Sequence, residues 1–151
     1  MVFVDTNVLV YLRDTSDPEK QSRAAEWIAV LWETGTGRLS QQVLQEFYVT
    51  MTRKVRNPRD PADVRDDVTA LYAWDPVVPD LATLERAWEV EDRFGFSWWD
   101  ALIVASALEA GARYLLTEDL QDGQTIEGLK IVDPFRVEPD ELLSARSSTS
   151  P

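Results

Sequence analysis

Ser97–Gly111 reads SWWDALIVASALEAG. Ser97 opens a helix as N-cap, and from Ala101 to Ala110 nearly every residue is apolar, so this helix has no polar face and must be buried on most sides. Gly111 ends it. Downstream, Tyr114–Thr117 and Lys130–Val132 read as strands. Upstream, Leu81–Phe94 is a helix closed by Gly95, Val77–Val78 is an extended piece between two prolines, and a helix from Asp60 (N-cap) and Pro61 (N1) runs to about Trp74. Gln41–Val55 carries a helical apolar stripe of Val43, Leu44, Phe47, Tyr48, Met51 and Val55. Arg38–Ser40 is a very short strand, Pro18–Trp32 a helix capped by Asp17 and ended by Gly35 and Gly37, and Val2–Val4 a strand ending at Asp5. Short buried strands alternating with helices predict an α/β domain with a mostly parallel sheet covered on both faces. The domain is expected over 1–137, with 138–151 an extension whose Ser-rich end, Ser144–Pro151, is expected to be disordered.

Composition narrows the chemistry. The 151 residues include six tryptophans and 44% hydrophobic residues, enough for one domain core without metal or disulfide staples. Neither cysteine nor histidine is present. That excludes thiolate or imidazole zinc sites, a Cys nucleophile, a His general base and Ser-His-Asp chemistry, and leaves carboxylates as ligands and acid/base groups. No signal-peptide pattern and no apolar run of membrane-spanning length is read, so a cytoplasmic protein is expected. The net charge of −12 runs against nucleic-acid binding, which draws on Lys and Arg. Arg13, Arg53, Lys54 and Arg56, with Arg59 nearby, are the candidate phosphate contacts; the same basic cluster also suits a helix end placed favourably against its dipole.

The acids are arranged more tellingly. Asp5 follows the first strand and Asp119 follows Tyr114–Thr117, and in a parallel sheet both lie at the carboxyl edge, where ligands of such sheets bind. Asp100 lies in the first turn of the buried helix, whose N-terminus comes to the same edge in a right-handed crossover. Glu46 falls about 60° outside the stripe edge at Val43, bordering the buried face. Each has a plainer explanation: a strand-end turn for Asp5, a capping box with Ser97 for Asp100, an exposed helix position for Glu46, and a loop or cap for Asp119. Together they point to a cation, because two carboxylates about 5 Å apart repel by roughly 3 kcal/mol at an effective dielectric near 20. Mg²⁺ or Mn²⁺ suits an all-oxygen site. Phosphodiester hydrolysis is the chemistry such a site supports, with one ion or two.

At these residues the sequence resembles the PIN-domain family, and within it the VapC-like toxins of toxin–antitoxin pairs. The resemblance rests on VDTNVLVY at the start, LQEFY around Glu46, SWWDALIVASALEAG around Asp100 and LLTEDLQDGQTIEGLKIVDPF near the end. It implies a Rossmann-like three-layer α/β/α fold, Mg²⁺- or Mn²⁺-dependent endoribonuclease activity, a homodimer and a cognate antitoxin protein. It assigns the acidic positions to Asp5, Glu46, Asp100 and Asp119, and supporting roles to Thr6, Asn7 and Thr117. One departure is Asp122, where close relatives often carry histidine, so Asp119 and Asp122 both stand as candidates for the fourth acid.

Two rivals belong to other classes. A Mg²⁺-binding receiver domain needs paired acids after its first strand, and Asp5 has no acidic neighbour. A non-catalytic PIN scaffold that binds RNA or protein would be favoured by loss of one of the four acids, and all are present. Phosphate-cradling glycine loops of nucleotide-binding proteins are absent.

Overall fold

Val2–Val4 forms strand β1, buried at all three positions, and it pairs in parallel with a strand on either side. The computed structural model describes residues 1–143; the tail Ser144–Pro151 lies outside the described residues. Among these, β2 (Gly37–Arg38), β3 (Tyr114–Leu116), β4 (Thr125–Ile126) and β5 (Leu129–Val132) complete a sheet of order β2-β1-β3-β5-β4. All pairings are parallel except β4 with β5. The helices are α1 (Thr6–Arg13), α2 (Pro18–Thr34), α3 (Gln41–Val49), α4 (Pro61–Leu71), α5 (Leu81–Phe94), α6 (Trp98–Glu109) and the short α7 (Pro139–Leu143). A mostly parallel sheet flanked by helices is the expected three-layer α/β/α architecture.

The buried helix is as read. Ser97 Oγ accepts from the amide of Asp100, and Ala101 to Ala107 are buried without interruption. α5 packs along it, with Asp80 and Thr83 closing a full capping box at the α5 N-terminus.

Four readings change. The eight-residue helix α1 was not anticipated: Val8-Leu9-Val10-Tyr11-Leu12 gives no polar interruption, and the helix is set by Asp5 as N-cap and by burial of Val8 and Leu9. The helix expected over Gln41–Val55 leaves α geometry at Thr50 and finishes as a π turn, Thr50–Lys54, with Val55 N donating to Thr50 O. Thr52 Oγ1 donates to the Tyr48 carbonyl there, a side-chain bond that competes with the regular ladder. Strand β4 is added by a tight hairpin, in which Glu127 (φ 50°) and Gly128 (φ 87°) both take the left-handed backbone of a primed turn. The extended piece at Val77 is a single parallel bridge to Ser40.

Of the tryptophans, Trp27 is fully buried, and its Nε1 donates to the carbonyls of Pro134 and Val137. Trp74 is buried too and Trp98 packs partly buried against the core, whereas Trp32, Trp88 and Trp99 are exposed. Trp74 explains the glycine of β2: a Cβ at Gly37 would sit 2.7 Å from three atoms of the buried indole. Gly37→Ala is therefore expected to cost about 2 kcal/mol, as overpacking of a filled core does. Urea unfolding measures it; a loss below about 0.5 kcal/mol, the scale of a neutral surface change, would show that the indole gives way freely.

Candidate active site

The register of β1 against β3 sets the site. Val4 pairs with Leu116, so the next residues, Asp5 and Thr117, leave the sheet side by side at its carboxyl edge. Both are buried, and Thr117 Oγ1 donates to Asp5 Oδ2 at 2.9 Å. The other oxygen, Oδ1, accepts from the amide of Thr6 at 2.7 Å, which makes Asp5 the N-cap of α1. The strand-end cap and the site acid are thus the same residue, one oxygen serving each role.

The hydrogen bonds extend from Asp5 in both directions. Thr6 Oγ1 donates to Glu46 Oε2 at 2.9 Å, and Gln42 Nε2 donates to Glu46 Oε1 at 3.0 Å. Glu46 therefore turns to the sheet edge, held by the first turn of α1 and by the residue one turn earlier in α3. On the other side, Asn7 Nδ2 donates to Asp119 Oδ2 at 3.0 Å and to Thr117 Oγ1 at 3.1 Å, with a longer contact of 3.4 Å to Asp5 Oδ2. The Asp119 amide closes the turn onto Thr117 Oγ1. Glu46, Thr6, Asp5, Thr117, Asn7 and Asp119 form one connected network across four elements of the chain.

Asp100 stands in the first turn of α6, outside the hydrogen-bond network and the groove lining. Its amide receives the Ser97 cap, but its carboxylate takes no part in a reciprocal capping box, so the plainer explanation does not use the carboxylate. Its charge is felt at Asp119, whose carboxyl is held above the ordinary range by burial first and then by the charges of Glu118, Asp100 and Glu46, against the lowering effect of Asn7. Asp5 is pushed further, to about 6, chiefly by burial. The Thr6 amide and Thr117 hydroxyl pull it down, and the charges of Asp119 and Glu46 add to the rise. A buried acid at a helix N-terminus would ordinarily stay low through the dipole; here desolvation wins.

A groove of about 600 Å³ opens over this edge. Glu46, Glu118 and Asp119 supply its acidic side, Tyr11 and Val49 an apolar wall, and Lys54 of the π turn a cation. Of the candidate phosphate contacts, Lys54 alone lines the groove. Arg53 and Arg56 are exposed and do not line it. Arg13 is engaged elsewhere, donating through Nε and Nη2 to the two oxygens of Asp67, and Arg59 donates to the Arg13 carbonyl. Asp122 is not brought into the network: its Oδ1 accepts from the amide of Asp133 at 2.9 Å, fastening the loop to the end of β5. Residues not singled out from sequence are Gln42, recognisable only as the i−4 neighbour of Glu46, and Tyr11, Lys20 and Glu118, whose association spans nearly a hundred positions.

The donor set is all oxygen, and burial, with the neighbouring carboxylates adding to it, disfavours ionisation of Asp5 and Asp119, so its chemistry fits a hard divalent cation. Among the described residues no three acidic side chains stand close enough to cage an ion by themselves. Mg²⁺ characteristically keeps several waters and takes only one or two carboxylates directly, so an open acidic edge remains compatible with it.

The fold places the chain beside two solved structures. A toxin–antitoxin complex from Klebsiella pneumoniae superposes with a TM-score of 0.63 at 19% identity, covering 89% of this chain and 98% of that one. VapC20 from Mycobacterium tuberculosis, described as a Sarcin-Ricin loop cleaving toxin, gives 0.57 at 20% identity, over 79% and 90% of the two chains. At these identities the likeness is one of fold. No significant match was found among curated proteins. The family is settled by the sequence itself, since a model of the PIN domain matches residues 2–121, the stretch that carries all four acids from Asp5 to Asp119. The chain belongs to the PIN domain family.

Proposed function

We propose that the protein is a divalent-metal-dependent endoribonuclease, the toxin of a toxin–antitoxin pair. The observation that carries the reading is the connected network from Glu46 through Asp5 to Asp119 at the foot of an open groove. Asp5, Asp100, Asp119 and Glu46 would hold Mg²⁺ or Mn²⁺. When bound, such an ion activates water and offsets charge on a phosphodiester in hydrolysis.

The chain's own residues supply the rest. Thr117 and Thr6 fix the orientation of Asp5, and Thr6 and Gln42 do the same for Glu46, so neither carboxylate has to be ordered when substrate arrives. Asn7 ties the loop bearing Asp119 to α1. Lys54, at the groove, and its exposed near neighbours in sequence, Arg53 and Arg56, would give phosphates a positive approach on a chain that is otherwise acidic. Cleavage of RNA and pairing with an antitoxin are carried over from the proteins of like fold, VapC20 and the Klebsiella complex. No helix among the described residues is long and apolar enough to cross a membrane.

The test is incubation of a mixed cellular RNA pool with purified protein and Mg²⁺ or Mn²⁺, alongside EDTA. Cutting that requires the ion is the expected result. Absence of cutting with either ion, combined with a rise in thermal stability on adding it, would favour a scaffold that binds without cleaving.

A further inference from the structure

Lys20, in the first turn of α2, lies outside the acid network, yet its ammonium reaches the loop that carries Asp119. Its Nζ donates to Glu118 Oε2 at 2.7 Å and to the Tyr11 hydroxyl at 3.3 Å. The ammonium stands 4.6 Å from the Tyr11 ring and 5.2 Å from the Phe135 ring, and these two rings meet edge-on at 5.0 Å. A cation seated on two aromatic faces and bonded to a carboxylate is fixed more firmly than an ordinary surface pair. Both charged side chains are more than half covered, and contact with Glu118 raises the Lys20 ammonium above its usual range.

Glu118 sits between Thr117 and Asp119, lines the same groove, and its charge bears on Asp119. Among the described residues it is the one acid of the groove tied to a cation. Asn7 holds the loop from the α1 side, and Lys20 holds it from the α2 side.

We propose that Lys20 is a positioning residue: by pinning the Glu118 carboxylate at the groove wall and partly offsetting its charge, it holds the adjoining Asp119 in place at the groove. The proposal rests on the reading of this cluster as an RNA-cleaving site. Lys20 itself does not touch substrate. Released from Lys20, Glu118 is free to swing deeper into the groove with its charge no longer offset, where it repels phosphate and displaces Asp119.

The experiment compares Lys20→Met, Lys20→Arg and the double variant Lys20→Met/Glu118→Gln. RNA cleavage kinetics are measured with Mn²⁺, and backbone hydrogen exchange over residues 117–120 is measured in EDTA. Lys20→Met is expected to lower kcat about tenfold with KM within about twofold, the pattern of a displaced reacting group. Exchange over 117–120 should quicken in that variant. Lys20→Arg should stay near wild type in both readouts, and Glu118→Gln added to Lys20→Met should recover most of the lost kcat. A Lys20→Met variant that changes only KM would make Lys20 an RNA contact and overturn the proposal. So would a kcat loss that Glu118→Gln leaves untouched. If the wild-type protein cuts no RNA, the nuclease reading fails on its own, and the exchange still decides the role of Lys20: unchanged protection of 117–120 in Lys20→Met overturns it.

Discussion

Asp5→Asn is expected to lower RNA cleavage by about a thousandfold or more, the scale seen when a group essential to charge stabilisation is removed. The same substitution should leave the metal-free protein no less stable at neutral pH. Both outcomes follow from where the carboxylate sits. In the folded chain its pKa is about 6, against an ordinary value of 3.8, so the native state binds this proton more tightly than the unfolded chain does. Below pH 3.8 both states are protonated and Asp5 costs nothing. Between 3.8 and 6 the unfolded chain ionises first, and stability falls as pH rises; above 6 the full cost remains, about 3 kcal/mol for a shift of this size. Asparagine has no such proton. Its amide meets Thr117 Oγ1, which already accepts from Asn7 and from the Asp119 amide, and that mismatch subtracts a pH-independent amount. Urea unfolding of both proteins in EDTA from pH 4 to 7.5 separates the two effects. The stability difference should move in favour of the variant by up to about 3 kcal/mol across that range; a flat difference would show that Asp5 is not the strained ionisation the structure describes. Retained cleavage would remove Asp5 from the catalytic site.

What the sequence carried of this site, and what it did not, follows from the range of the interactions. Asp5, Asp100 and Asp119 were legible because each is tied to a strong local pattern: an apolar strand, a capped apolar helix, a second apolar strand. Sheet topology then forces two of those ends together, with no further information needed about side chains. Glu46 was visible as a border position of its helix stripe, but not the Thr6 hydroxyl that orients it from forty residues away. Helix α1 was lost because an unbroken run from Val8 to Leu12 has neither helical nor strand periodicity; its capping acid was read for chemistry instead of for the cap it also is. The hairpin at Glu127 and Gly128 did have a local signal, a glycine at the second of two turn positions, but β4 is only two residues long and its partner pattern is correspondingly weak. Asp122 shows the converse. The resemblance made this acid a candidate, and the bond it makes to the Asp133 amide depends on β5 lying alongside.

Trp27 carries the largest stability effect expected. It falls on the stripe Ala24, Trp27, Ile28 and Leu31 that α2 buries, and both halves of its chemistry are used. The indole fills the core, while its N–H satisfies the carbonyls of Pro134 and Val137 at 3.1 and 3.0 Å, where the chain leaves β5 and turns towards α7. Trp27→Ala removes the volume and the donor together and is expected to cost about 4 kcal/mol. With total stability of ordinary domains near 5 to 15 kcal/mol, such a variant stands close to its unfolding threshold. Trp27→Phe separates the contributions: it keeps much of the apolar contact and leaves two carbonyls without their donor, for an expected loss of about 2 kcal/mol. Urea midpoints of the two variants against wild type measure both. If the phenylalanine protein matched wild type, the bonds to Pro134 and Val137 would be dispensable and burial alone would hold this segment; if it fell as far as the alanine protein, the donor would be the main anchor. Between those carbonyls lies Phe135, the ring beneath Lys20, so loosening this segment also loosens the aromatic seat on which that ammonium rests. Trp27→Phe should therefore quicken hydrogen exchange at the loop of Glu118 as well as lower the midpoint, linking a core residue to the acid edge through packing alone.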